Sequence, residues 1–178
     1  EKSFSIGQTL FRNYNVKEAR LVLGELIDDL ALRMRNEGYM TEVVSCMVGY
    51  ASQKGGFSRQ MSLLAKTDDT EVLREAIFEI YDKYVIDMPI RQLYVSFGKL
   101  VKYSDHEQLS LFRDPKTMED NHNLQKMIDL LHNKYGKDVI LRASALLEES
   151  TAIERHGFIG GHRKWAIAEW KNGLLINH

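Results

Sequence analysis

The spacing of apolar positions changes repeatedly along the first half of the chain. Residues 4–12 alternate in part and lack helical periodicity, which predicts a strand. Over 16–37 the apolar positions Ala19, Val22, Leu23, Leu26, Ile27, Leu30 and Met34 recur three and four apart, the stripe of an amphipathic helix. Asn15 can cap its start and Gly38 supplies its stop. Residues 40–50 return to alternation and are rich in β-branched side chains, with Val44, Cys46, Val48 and Tyr50 on one face and Val43, Ser45 and Met47 on the other. The turn Gln53, Lys54, Gly55, Gly56 then opens a hairpin into 57–64. There Phe57 and Leu63 share a parity with Arg59 and Leu64 does not, so a bulge is expected. Asp68, Asp69 and Thr70 announce a second helix over 71–84, with Val72, Ala76, Ile80 and Tyr84 four apart and Leu73 and Ile77 beside them. After Pro89, residues 90–100 set Leu93, Val95 and Phe97 against Gln92, Tyr94, Ser96 and Gly98.

Strand, helix, strand, strand, helix, strand is the order of an α+β fold. It predicts a four-stranded, mainly antiparallel sheet with both helices on one face and the other face free. Beyond Lys102 the character changes. Thr117 and Asp120 can cap a helix over 118–134 whose stripe is Leu124, Met127, Ile128 and Leu131, ended by Gly136. Residues 139–147 form a short apolar segment of undetermined type. The rest reads as peripheral, although Trp165, Ile167 and Trp170 could cover something. The expected division is 1–104, a folded domain; 105–116, a linker; and 117–178, a partly helical C-terminal tail.

Composition adds limits. The 178 residues, 44% hydrophobic, suffice for one domain plus an appendage. No run approaches the roughly 18 apolar residues of a membrane span, and no basic-then-apolar leader opens the sequence. The chain begins at Glu1 inside a strand-like pattern, which suggests a fragment of a longer protein. The sole cysteine, Cys46, excludes an internal disulfide, fits a reducing cytoplasm, and lies in a strand alternation where cysteine is a small core residue. A formal net charge of -1 carries no global signature of nucleic-acid binding. Distribution says more. Glu18, Glu25, Asp28, Asp29, Glu71, Glu75, Glu79 and Asp82 crowd the helices, whereas Lys54, Arg59, Lys66, Arg91, Lys99 and Lys102 lie in strands and loops. An acidic helical side and a basic sheet side are expected.

Two groups of residues carry candidate chemistry. The first is the free sheet face: Ser3, Ser5, Gly7 and Thr9, then Ser45 and Met47, Arg59, and Gln92, Tyr94 and Ser96. Hydroxyl and amide side chains there can donate to phosphate oxygens, with Lys54, Arg59, Arg91, Lys99 and Lys102 as counter-charge. The alternative is a polar strand face that meets only water. The second is the pentapeptide Gln108, Leu109, Ser110, Leu111, Phe112. It sits between Asp105, His106, Glu107 and Arg113, Asp114, Pro115, Lys116, so it lies in a linker and reads as a docking peptide: two apolar anchors for a cleft and a glutamine to fix register. The alternative is an ordinary strand end burying Leu109, Leu111 and Phe112. No catalytic residue and no metal ligand is assigned. The six histidines lack the spacing of a metal site, and Glu148, Glu149, Asp68 and Asp69 read as helix-end charges.

The pentapeptide resembles the sliding-clamp-binding motif of bacterial DNA polymerases and repair proteins at all five positions. Around it, Lys2 to Gly7, Val48-Gly49-Tyr50 through Phe57-Ser58-Arg59, the run from Pro89 to Phe97, Lys134-Tyr135-Gly136, Ile140 to Ser144, and Ile159-Gly160-Gly161-His162 resemble, in order, the C-terminal part of a bacterial Y-family translesion polymerase of the ImpB/MucB/SamB or UV-repair type. The resemblance implies a little finger domain over about 2–102 that grips duplex or primer-template DNA without reading sequence. By matching position, Ser3, Ser5 and Gly7 approach the backbone, Arg59 meets a phosphate, and Arg91, Gln92 and Ser96 belong to the last contact strand. It further implies the DNA polymerase III sliding clamp (β subunit) as partner of Gln108 to Phe112, a cytoplasmic bacterial setting, and no cofactor in this chain. Magnesium belongs to a palm domain whose Ser-x-Asp-Glu motif has no counterpart here. Ser96 and Met61 stand where the family commonly has basic residues, which implies a weaker hold on DNA and a larger part for the clamp tether. The rival expectation is a small non-enzymatic adaptor that uses the pentapeptide alone.

Overall fold

In the computed structural model, residues 2–51, 55–103, 115–156, 158–159 and 162–163 are described, with the backbone alone at 115–122 and beyond 156. Lys54, the pentapeptide Gln108 to Phe112, and Trp165, Ile167 and Trp170 lie outside the described residues. The elements are β1 (Phe4–Tyr14), α1 (Val16–Asn36), β2 (Tyr39–Tyr50), β3 (Gly56–Thr67), α2 (Thr70–Tyr84), β4 (Ile90–Lys102) and α3 (Pro115–Tyr135), then a 3-10 turn (Ala143–Leu146), α4 (Ala152–His156) and a small β5–β6 hairpin (Phe158–Ile159, His162–Arg163).

The first six elements are the α+β unit the periodicities predict. The sheet order is β1-β4-β2-β3 with every neighbouring pair antiparallel. Consequently β1 and β2 run parallel with β4 between them, and α1 is the crossover that joins them. In the same way α2 carries β3 to β4 across β2. Local chemistry starts each helix where the sequence says. Asn15 Oδ1 accepts from the amides of Lys17 and Glu18 while Glu18 accepts from the Asn15 amide, a reciprocal cap on α1. Asp69 caps α2 by accepting from the amides of Glu71 and Val72.

Leu23, Leu26, Ile27 and Leu30 of α1 are fully buried against Phe4, Leu10, Val44, Cys46, Val48, Leu93, Val95 and Phe97, all from one face of the sheet. Each such side chain contributes about 1.5–3 kcal/mol on removal from water. The buried stripe of α2 is Leu73, Ala76, Ile77, Ile80 and Tyr81; Val72 is half-buried and Tyr84 exposed, so the helix is rotated by one position from the four-apart reading. The Tyr81 hydroxyl donates to the Val16 carbonyl and thereby takes a buried place. The expected irregularity in β3 exists: pairing shifts from Val43↔Ser62 to Thr41↔Thr67, and Leu64 in the extra length is fully exposed. Cys46 is buried, and burial pushes its thiol up to about 12, so it packs without reacting.

Helix α3 departs from expectation. Leu124, Met127 and Leu131 of its apolar stripe are exposed, and only Ile128 is half-buried. Docking is polar instead. Arg35 on α1 donates through Nε and Nη2 to both oxygens of Asp129, at 2.6 and 3.0 Å, and through Nη1 to the Asp68 carbonyl and Thr70 Oγ1. Asn36 and Asn133 exchange amide hydrogen bonds one turn away. The Tyr103 hydroxyl, at the end of β4, donates to the Asp68 carboxylate. Arg35 thus ties α1, α2 and α3 at one point, with side-chain exposures of 10% and 13% for the Arg35–Asp129 pair.

The acidic side divides: Glu71, Glu75, Glu79 and Asp82 of α2 are exposed, whereas Glu25 and Asp29 of α1 are covered. Lys137 and Arg155 pair with Asp29, Arg142 with Asp28 and Glu71, and Arg155 also with Glu25. Glu25 additionally accepts from Ser150 Oγ and from the amide and hydroxyl of Thr151. His156 lies between Asp29 and Asp138. Residues 137–156 therefore lie as a strap on α1.

Two predictions follow the packing. Asp129→Ala strands the Arg35 charge, a loss of about 3–5 kcal/mol for a buried pair; hydrogen exchange should rise across α3 and not across β2 and β4. The second concerns pH. Burial alone would lower His156, but its bonds to Asp29 and Asp138 outweigh burial and raise it. A raised histidine stabilises fully below its unfolded value of about 6.5 and loses that contribution as pH climbs through the folded value. Burial alone would raise Asp29, but His156, Arg155 and Lys137 hold it well below the usual carboxylate range, so its contribution is lost only in strong acid. Amide protection of residues 151–156 should therefore fall in mild alkali, and His156→Gln should remove that fall.

Candidate nucleic-acid interface

Because every large core side chain points one way, the alternate positions form an open face. Strand register aligns them in rows across β1, β4, β2 and β3: Thr9, Gln92, Gly49, Gly56; then Gly7, Tyr94, Met47, Ser58; then Ser5, Ser96, Ser45, Gln60. None of these positions carries a charge. The Ser45 and Ser96 hydroxyls bond to each other at the centre, which uses one O–H and leaves the other, with the flanking hydroxyls, to donate to a ligand. A face of small hydroxyl, amide and glycine residues lets an anionic backbone approach the sheet closely without meeting a carboxylate.

The expected contact residues divide on this geometry. Ser5, Gly7, Gln92 and Ser96 come together on the open face, and exposed Ser3 precedes β1 at its edge. Arg59 does not join them. It pairs with Cys46, so it shares the helix-side parity of Phe57, Met61 and Leu63; its guanidinium lies 5.1 Å from the centre of the Tyr84 ring and donates to the Ser58 carbonyl. The open-face positions of β3 are instead Ser58, Gln60 and Ser62, which the sequence reading missed. The parity of Phe57 and Leu63 with Arg59 was the signal available for it.

The basic sheet side resolves into a cationic margin. Arg91 is the extra residue of a bulge where Gly49↔Gln92 gives way to Tyr50↔Ile90, and it is half-buried. Lys99 is exposed and takes a left-handed backbone, φ 47°, the one non-glycine residue to do so among the described residues. Neither makes an ion pair among the described residues. Lys2 and Arg12, by contrast, are engaged by Glu37 and Glu18, and Lys102 stands over the Tyr39 ring at 5.9 Å.

Elsewhere, a cavity of about 370 Å³ lies among α1, the start of α2, α3 and the strap. Its charged lining is paired internally through Arg35–Asp129, Arg74–Asp28 and Arg155–Asp29, so it offers no surplus charge to an ionic ligand. Among the described residues no group of three or more His, Cys, Asp or Glu is placed to hold a metal ion, and no helix is long and apolar enough to cross a membrane.

The fold is a βαββαβ unit with one packed face and one open, uncharged, hydroxyl-bearing face. The chain belongs to the impB/mucB/samB family: that family's C-terminal domain profile matches residues 1–111. The match identifies it with the C-terminal domain of that family's proteins. It is 35% identical to DNA polymerase IV 2 of Bacillus subtilis (strain 168) over 169 residues, 92% of this chain and 40% of that protein. It is 29% identical to UvrX of the same bacterium over 90% of this chain and 39% of that protein. DNA polymerase IV 2 of Halalkalibacterium halodurans is 31% identical, over 92% and 40%. The chain therefore spans about 40% of the length of these relatives. A solved complex of beta-clamp processivity factor and the little finger domain of PolIV overlaps at a TM-score of 0.44 with 9% identity, covering 63% of this chain and 100% of that one. Overlap that loose bears on neither fold nor partner.

Lys99 offers a separation of charge from backbone. In Lys99→Gly, relief of the left-handed conformation, about 1 kcal/mol, offsets glycine's greater chain entropy of about 0.5–1 kcal/mol. Thermal stability should stay nearly constant, as a melting curve would show, so any change the variant makes in the salt dependence of an anionic ligand reports the lost charge alone.

Proposed function

We propose that this chain is the DNA-holding and clamp-tethering part of a translesion DNA polymerase. The observation that carries the reading is the open sheet face in a member of the impB/mucB/samB family: hydroxyls and glycines in the centre, no carboxylate among them, cations at the margin. Ser3, Ser5, Gly7, Gln92 and Ser96 position the phosphate backbone, and Arg91, Lys99 and Lys54 supply counter-charge. Arg59 reaches the duplex from the edge of β3, beside Tyr84, rather than from the centre of the face.

The working division is residues 1–104 as the DNA-holding unit, 105–116 as the tether and 117–178 as the tail, of which 137–156 strap α1. In the tether, Gln108, Leu109, Ser110, Leu111 and Phe112 dock on the sliding clamp, with Leu111 and Phe112 as anchors. The chemistry of nucleotide addition belongs to the part of the polymerase outside this chain, where a carboxylate cluster holds magnesium. This chain's share is placement: it keeps a distorted template in register while the tether keeps the enzyme on the ring. The setting is the bacterial cytoplasm.

A salt titration of duplex binding tests the DNA role. About 0.9 log unit is lost per cation engaged, so a margin of three or four cations predicts a slope near −3, the same for duplexes of unrelated sequence. For the tether, Leu111→Ala with Phe112→Ala should abolish clamp binding and leave duplex affinity unchanged. Clamp binding without salt-dependent duplex binding would recast the chain as an adaptor.

A further inference from the structure

Two glycines of the open face face bulky neighbours on β4. A Cβ on Gly7 would meet Tyr94 Cδ2 at 2.6 Å, and a Cβ on Gly49 would meet Gln92 Cβ and Oε1 at 3.0 Å. Neither glycine has a positive φ, so space and not backbone freedom requires them. Tyr94 lies across β1 and Gln92 across β2, two successive open-face side chains laid to opposite sides of their own strand. Tyr94 as a residue still keeps 37% of its surface exposed. It forms the apolar floor between two polar rows, Ser5, Ser96, Ser45 on one side and Thr9, Gln92 on the other, each about 7 Å away along the strands.

We propose that Tyr94 contacts the sugar edge of bound duplex DNA while the rows on either side reach phosphates, and that Gly7 is a positioning residue that keeps the ring low enough for both rows to reach. The inference rests on the DNA-holding reading above. An uncharged ring meeting deoxyribose adds contact area without a counterion, so its effect is independent of salt, unlike that of the marginal cations. An alanine at position 7 drives the ring upward, where it stands as a post that holds the duplex off the hydroxyl rows.

The test is fluorescence anisotropy of a labelled random-sequence duplex with the 178-residue chain, at two salt concentrations, for wild type, Gly7→Ala, Tyr94→Ala, Tyr94→Phe and the Gly7→Ala/Tyr94→Ala double variant, each checked by thermal melting. Gly7→Ala should weaken binding roughly tenfold or more and Tyr94→Ala roughly threefold, both with the wild-type salt slope. Tyr94→Phe should bind as wild type. The double variant should return to the level of Tyr94→Ala, because removing the ring removes the post; a merely structural role for the pair would make the double variant the worst of the set. Losses that add, or wild-type affinity in Gly7→Ala, overturn the inference. Should Gly7→Ala fail to fold, Tyr94→Ala decides, and its binding as tightly as wild type overturns the inference. Absence of salt-dependent duplex binding by the wild type would instead overturn the underlying DNA reading.

Discussion

One-sided burial is the constraint from which the rest of this molecule follows. A strand sends successive side chains to opposite faces, and here both helices place their apolar stripes on the same face. The chain thus has one buried layer and one sheet surface without a packing partner from α1 or α2. On that surface the side chains are released from core demands and can be small. Substituting bulk into Val44 or Phe97 would disturb a close-packed interior, whereas Ser45 and Ser96, one residue away, answer only to each other and to what binds. The same alternation that builds the core therefore builds the candidate interface.

A second consequence appears on the outer side of α1. Glu25 and Asp29 are too shielded to be left alone, with side-chain exposures of 8% and 9%, and a buried carboxylate without partners costs several kcal/mol. The strap supplies the partners. Exposed pairs such as Arg142–Glu71 add little, about 0–1 kcal/mol, so the hold of the strap rests on Arg155, Thr151 and His156 around those two carboxylates. Neutralising the acids in place also removes a negative field that would otherwise oppose an anionic ligand on the far side of a thin two-layer domain.

Legibility in the sequence tracked the range of the interactions. Helix α1, its Asn15 cap, the alternations of β2 and β4, and the β3 irregularity are set by neighbours a few residues apart, and the pattern carries them. The face of Arg59 is set by pairing across a hairpin, where Cys46 meets it; composition suggested a basic contact, while the parity of Phe57 and Leu63 pointed the other way. The apolar stripe of α3 misled for a different reason. Its docking ground on α1 is Arg35 and Asn36, so Asp129 and Asn133 turn inward and Leu124, Met127 and Leu131 turn out. The strap joins residues more than a hundred positions apart, such as Arg155 and Asp29, and no periodicity encodes such pairs.

The division of labour proposed for the chain is quantitatively consistent. A surface that engages a few phosphates with three or four cations belongs to the range of nonspecific binding, about 10⁻⁴–10⁻⁶ M at physiological salt. Such a contact alone leaves a dilute protein mostly free. A tether about a dozen residues long would raise the effective concentration to about 1 mM, roughly a hundredfold above the middle of that range. The ratio corresponds to about 2.7 kcal/mol, enough to keep the module on DNA while its partner peptide is seated and to let it go when the peptide leaves. A more strongly basic face would hold the duplex whether or not the peptide was seated. On the proposed reading an uncharged centre would make residence on DNA conditional on docking, and Ser96, uncharged in the middle of the open face, suits that arrangement.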